Sequence, residues 1–186
     1  MLTANIDVDR SIVAFRNEDG KTELTIFTTP LSTVEATPAI RLIQSPGVSD
    51  ETALKQTAEI ITSLTDSNRY IPIDLSDVTS ICASEAIRII WFNAGDDPGK
   101  AFSDQLAAQG IEPSCCDGAL ISIEAPANIG LAEVTSLVTI VQEAIQDDAF
   151  IIWGLSLDSQ QKDTEITVIL AKPEGETAAH ETAKKN

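Results

Sequence analysis

From residue 50 onward the apolar residues change their spacing several times, and this alternation constrains the fold more than any other feature of the chain. Ala53, Leu54, Thr57, Ile60, Ile61 and Leu64 recur at helical intervals behind Ser49 or Asp50 as N-cap, and the pattern stops at DSNR (66–69). Residues 71–78 (IPIDLSDV) read as an extended piece that turns into a helical turn, and 86–92 as a strand. Asp97-Pro98 then gives a cap followed by a proline at the first helical position, for a helix running to Gln109 and ended by Gly110. GALISIEA (118–125) is a buried strand. Residues 131–145 are helical, with Leu131, Val134, Leu137, Val138, Val141 and Ile145 on one face. Strands at 150–155 and 165–171 flank a turn at 158–163. Strands interleaved with helices, closing in an antiparallel pair, predict a mixed sheet with helices packed on it.

The first 48 residues follow a different pattern. SIVAFR (11–16) and ELTIFT (23–28) are β-rich runs separated by NEDGKT, whose Asp19-Gly20 is a turn signal, so the two read as a hairpin. Residues 29–47 carry Pro30, Pro38 and Pro46 and look like a connector, with a further short strand at 40–43. The predicted organisation is a hairpin extension and connector (1–48), an α+β two-layer sandwich with a four-stranded mixed sheet (49–172), and a flexible polar tail (173–186).

Composition excludes several functions. The net charge of −17 argues against nucleic acid or an anionic membrane as partner, because both are bound through Lys and Arg. No apolar run is long enough to span a bilayer, and MLTANIDVDR lacks the form of a signal peptide. Three cysteines, Cys82, Cys115 and Cys116, form an odd set with two adjacent members, which fits a reducing, cytoplasmic setting. The one histidine, His180, lies in the polar tail, so neither a metal site nor a Ser-His-Asp triad is expected. Lys100 beside Gly99 does not have the spacing of a phosphate-binding loop, and no cofactor is expected. Trp91 and Trp153 sit in strand patterns, as core or interface anchors.

Five segments, in order and continuous from about residue 50 to 171, resemble the carboxy-terminal domain of the FtsZ/tubulin family. DETALKQTAEIITSL is similar to the end of the helix joining the two FtsZ domains, and PIDLSDVTSI to the loop after it. FNAGDDPGKAFSDQLAAQ, GALISIEAPANIGLAEVTSLVTIVQEAI and DDAFIIWGLSLDSQQKDTEITVILA resemble the remaining helices and strands. The resemblance implies a role for the loop at 71–78, which in FtsZ enters the GTP site of the neighbouring subunit. The family pattern there is Asn-x-Asp-x-x-Asp, whose two acids help to position the attacking water. Asp74 and Asp77 match the acids, while Pro72 replaces the asparagine and Arg69 stands where glycine is usual. With Tyr70, these residues form the expected interaction loop.

Two readings of the acids stand side by side. Asp74 as N-cap and Asp77 in the first helical turn can simply stabilise the following helix, by about 1–2 kcal/mol. Alternatively they act in trans on a partner's nucleotide. The family's glycine-rich phosphate cradle has no counterpart, since none of the nine glycines is adjacent to another and 48 residues are too few for a nucleotide domain. The expectation is therefore a non-catalytic protein that binds or caps an FtsZ/tubulin-type filament, or self-associates, in cell division or cytoskeletal regulation. The alternative is a ligand- or protein-binding module that reuses the fold without any polymer role.

Overall fold

Eight strands form one sheet in the computed structural model, which describes residues 2–29, 38–81 and 86–172. In chain order the elements are β1 (Thr3–Asp7), β2 (Ile12–Arg16), β3 (Thr22–Phe27), β4 (Ala39–Leu42), α1 (Asp50–Leu64), α2 (Leu75–Ile81), β5 (Ala86–Asn93), α3 (Pro98–Gln109), β6 (Gly118–Pro126), α4 (Leu131–Ala144), β7 (Phe150–Asp158) and β8 (Glu165–Lys172). Across the sheet the order is β1-β2-β3-β4-β5-β8-β6-β7. The polar-tail reading, and those for Cys82 and His180, fall outside the described residues.

The helix ends form as the local sequence dictates. Ser49 Oγ accepts the backbone N–H of Thr52 at the start of α1, and the Asp97 carboxylate accepts that of Lys100 at the start of α3. Gly110 ends α3 in the left-handed region (φ 62°), which a side chain would strain. In the β2–β3 hairpin the side chain of Asn17 accepts the N–H groups of Asp19 and Lys21 and so closes the turn.

Two expectations are corrected. The sheet is eight strands wide, not four, because the first 42 residues do not stop at a hairpin. β3 pairs in parallel with β4, and β4 in parallel with β5 through Arg41 opposite Ala86 and Leu42 opposite Ile87. β1, a polar and largely exposed strand that the sequence does not announce, adds to the outer edge of β2. The second correction concerns the closing strands. β8 does not pair with β7 but inserts between β5 and β6, antiparallel to both, while β7 lies parallel to β6. Antiparallel direction along the chain was legible; adjacency was not, since it depends on which neighbours offer open backbone groups.

Period-two alternation divides the core between the two faces of the sheet. Val13, Phe15, Leu24, Ile26, Ile40, Leu42, Ile87, Leu120 and Ile169 face one way and pack under α1 and α2. Ile90, Phe92, Ile121, Ile123, Val168 and Leu170 face the other way and pack under α3 and α4. Helices therefore cover both faces. Phe15 and Leu24, in the amino-terminal ribbon, share one buried cluster with Leu54 and Ile61 of α1. Asp50, the first residue of α1, accepts hydrogen bonds from Ser11 and Thr29 and from the Gln44 amide, which ties the ends of the ribbon strands to the helix. These bonds, Gln44's first, hold the Asp50 carboxyl below its usual range.

We predict that Phe15→Ala, at a fully buried position, lowers the stability of the whole chain by about 3–5 kcal/mol. Thermal unfolding followed by circular dichroism should remain a single transition at a lower midpoint. Two separate transitions would mean that the ribbon melts independently of the rest.

Candidate functional site

The candidate site is the segment between α1 and α2, and three anchors fix its path. Ile71 makes a two-bond antiparallel bridge to Leu155 on β7, with N···O distances of 2.9 and 3.0 Å. Ile73, 2% exposed, drops into the cluster under α1 and α2. It does so directly over Gly154. A Cβ at that glycine would lie 2.8 Å from Ile73 Cδ1 and Cγ1 and 2.9 Å from the carbonyl oxygen of Ile71. Gly154 is thus required for close approach and not for its dihedral angles.

Arg69 is the third anchor. Its side chain turns inward and is 3% exposed. The guanidinium donates to Ser122 Oγ at 2.8 Å, to Ser63 Oγ at 3.2 Å, to the Ser63 carbonyl at 3.4 Å, and to the Ile123 carbonyl at 3.4 Å. Glu124 Oε1 lies at 3.5 Å. Burial pushes the Arg69 guanidinium below its ordinary value, and Glu124 opposes that shift. Because Glu124 is half exposed, the ion pair itself contributes little; the hydrogen bonds to Ser122 and Ser63 dominate. The structure therefore places Arg69 as a clamp between the end of α1 and β6, turned away from the loop's exposed side.

The two acids take different positions. Asp77 Oδ2 accepts the backbone N–H of Asp74 at 3.2 Å, the back-reaching half of a capping box. The N–H groups of Asp77 and Val78 bond to the Asp74 carbonyl, so Asp74 occupies the N-cap position. Its own carboxylate is exposed and makes no hydrogen bond or ion pair among the described residues. Helix capping thus accounts for Asp77 but leaves the Asp74 carboxylate uncommitted. Tyr70, 71% exposed, and Pro72, also exposed, stand beside it. Of the residues singled out in the sequence, Tyr70, Pro72 and Asp74 form an outward surface, Asp77 braces it, and Arg69 holds it from behind.

Other candidates separate. Trp153 packs partly buried against the cluster under α3 and α4, whereas Trp91 is 51% exposed on the opposite face of the sheet. Cys116 is buried and Cys115 half-buried. Among the described residues no group of three or more metal-ligating side chains comes together. No helix among them is long and apolar enough to cross a membrane.

The site thus sits on a mixed sheet with β8 between β5 and β6, entered by a helix and an acid-bearing loop. Residues 99–172 match the family model described as "FtsZ family, C-terminal domain", and the chain carries an FtsZ-like carboxy-terminal domain. It is 27% identical over 144 residues to the cell division protein FtsZ of Methanothermobacter thermautotrophicus, and 26% identical over 152 residues to FtsZ 1 of Halobacterium salinarum. Each match covers 74% of this chain but 38% of the relative. Among solved structures the fold is shared with the empty FtsZ dimer of M. jannaschii (TM-score 0.51, 21% identity, 68% of this chain and 40% of that one). It is also shared with CetZ of Methanosaeta thermophila (TM-score 0.54, 12% identity, 80% and 47%). The chain thus spans well under half the length of the curated relatives it matches.

Three substitutions test this geometry by denaturant unfolding. Gly154→Ala should destabilise by about 1–3 kcal/mol through overpacking against Ile73 and the Ile71 carbonyl. Asp77→Ala should cost about 0.5–2 kcal/mol through loss of the cap. Asp74→Ala should change stability by less than about 0.5 kcal/mol on account of its exposed side chain. Equal losses for both aspartates would show that the Asp74 carboxylate is engaged in the folded chain.

Proposed function

We propose that this chain is an FtsZ-like interaction protein without catalysis of its own, which docks by residues 69–78 onto an FtsZ/tubulin-type GTPase and caps its filament. The observation that carries this reading is the split between the two acids. A fold that needed only a helix cap is served by Asp77, yet Asp74 stands uncommitted on a segment that also exposes Tyr70 and Pro72 and is held by Ile71, Ile73 and Arg69. A rigid surface with an exposed aromatic ring and a free carboxylate loses little entropy on docking. On this reading Asp74 approaches the partner's nucleotide, Asp77 keeps the loop in shape, and Pro72 limits how fully the pair can support hydrolysis. On this reading the chain joins the filament through its loop face, occupies one end and stops growth there. A second copy of the chain is the other partner this surface could meet.

The test is assembly of an FtsZ-type GTPase from the same cell, followed by light scattering and sedimentation. Substoichiometric addition of this chain should shorten filaments, Tyr70→Ala together with Asp74→Ala should abolish the effect, and the isolated chain should bind no GTP. Unchanged assembly, or tight GTP binding by the chain alone, overturns the proposal. The second reading, a ligand-binding module, is favoured by one observation of its own: the groove beside Trp91.

A further inference from the structure

The face of the sheet that carries α1 is not fully covered. Between α1 and strands β5, β8 and β6 lie two hollows of 410 and 300 Å3 that share Glu59, Ile60, Trp91 and Thr167. Trp91 is 51% exposed there, an unusual position for an indole on the strand face that carries the fully buried Ile87. The larger hollow is walled by apolar and amide groups, including Ile89, Gln56 and Gln105. The smaller one is bordered by Glu59, Glu124 and Glu165, and among the described residues no basic side chain lines either hollow, Arg69 lying behind Ser63, Ser122 and Glu124.

The charges here follow from strand register. Glu124 of β6 and Glu165 of β8 are direct partners across an antiparallel pair, so their side chains leave the same face. Like charges placed directly opposite each other are destabilising. Arg69 offsets Glu124 at 3.5 Å. Glu165 and Glu59 make no ion pair among the described residues. Their uncompensated charge borders the electron-rich face of an accessible indole, and an apolar trough leads away from it.

We propose that this groove binds a small organic cation: an ammonium or guanidinium head on an apolar stem. The head sits over Trp91 between Glu59 and Glu165, where ring quadrupole and carboxylates attract it together. The stem lies along Ile60 and Ile89, towards the amides of Gln56 and Gln105. An anion is excluded by the carboxylates, and a neutral apolar ligand leaves their charges beside a dry surface, uncompensated. This proposal does not rest on the docking loop, so failure of either leaves the other standing.

The experiment is titration of the full chain with butylguanidinium and with its uncharged counterpart butylurea, read by calorimetry and by the NMR signal of the Trp91 indole N–H. Butylguanidinium should bind saturably, with a dissociation constant on the order of a millimolar, and shift that signal; butylurea should do neither. Glu59→Gln with Glu165→Gln, and separately Trp91→Leu, should each weaken binding by about tenfold or more. Glu133→Gln with Glu143→Gln, exposed positions on α4, should leave it unchanged. Equal responses to both ligands, binding unaffected by the groove substitutions, or an equal loss in the α4 variant would overturn the proposal, the last by showing only attraction to an acidic surface.

Discussion

The last strand of the described chain sits in the middle of the sheet, and most of the structure depends on that placement. β8 is hydrogen-bonded on both sides, to β5 along eight residues and to β6 along seven. Until it arrives, β5 with the amino-terminal ribbon and β6 with β7 are separate pieces presenting open backbone groups to each other. Its side chains then close both cores at once: Ile166, Val168 and Leu170 complete the layer under α3 and α4, and Ile169 and Ala171 the layer under α1 and α2. Thr167 and Glu165 lie on the second of these faces beyond the reach of α1, and there the sheet opens into the groove beside Trp91. One strand thereby sets the joining of the two halves, the completeness of both cores, and the place where one of them stops.

The loop at 69–78 is positioned by the consequences of the same arrangement. With β6 paired to β8, β7 is left as the outer strand, and Ile71 uses its free edge at Leu155. Gly154 removes the one side chain that would block Ile73 from crossing that edge into the core. Arg69 closes the other end of the loop. Burying a guanidinium carries a desolvation cost, and the four serine and carbonyl contacts offset it with direct hydrogen bonds. A glycine at this position could not make that connection between α1 and β6. Arg69 is thus a change of anchoring method, and it leaves the outward residues Tyr70, Pro72 and Asp74 free of structural duties.

What the sequence made legible follows from how far each signal reaches. Helix starts at Ser49 and Asp97, the stop at Gly110 and the hairpin around Asn17 depend on residues within four positions of one another, and each was readable. The alternation in β5, β6 and β8 identified strands, and with it Trp91 could have been placed on the face of Ile87 and Ile89. Which strands are neighbours was not readable, because β8 pairs with β5 across some eighty residues and backbone pairing has no side-chain code of its own. β1 was missed because TANID, a mostly exposed edge strand, lacks the apolar half of the alternation. At the loop, the motif located the residues but not their directions. The inward turn of Arg69 was not readable because Ser122 and Glu124, which hold it, lie more than fifty positions away.

The groove and the loop meet at Ser63, Ser122 and Glu124, which border one and hold the clamp of the other. A cation in the groove would compete with Arg69 for that carboxylate, and the question is whether the loop would then loosen. The magnitudes decide against it. Glu124 is 44% exposed and 3.5 Å from the guanidinium, in the range where an ion pair contributes about 0–1 kcal/mol. The 2.8 Å bond to Ser122 is buried, and a hydrogen bond from a charged donor is worth about 1.5–3 kcal/mol. Arg69 therefore keeps its position when Glu124 is drawn away, with Ile71 and Ile73 holding the loop independently. The two surfaces share these residues without sharing a switch.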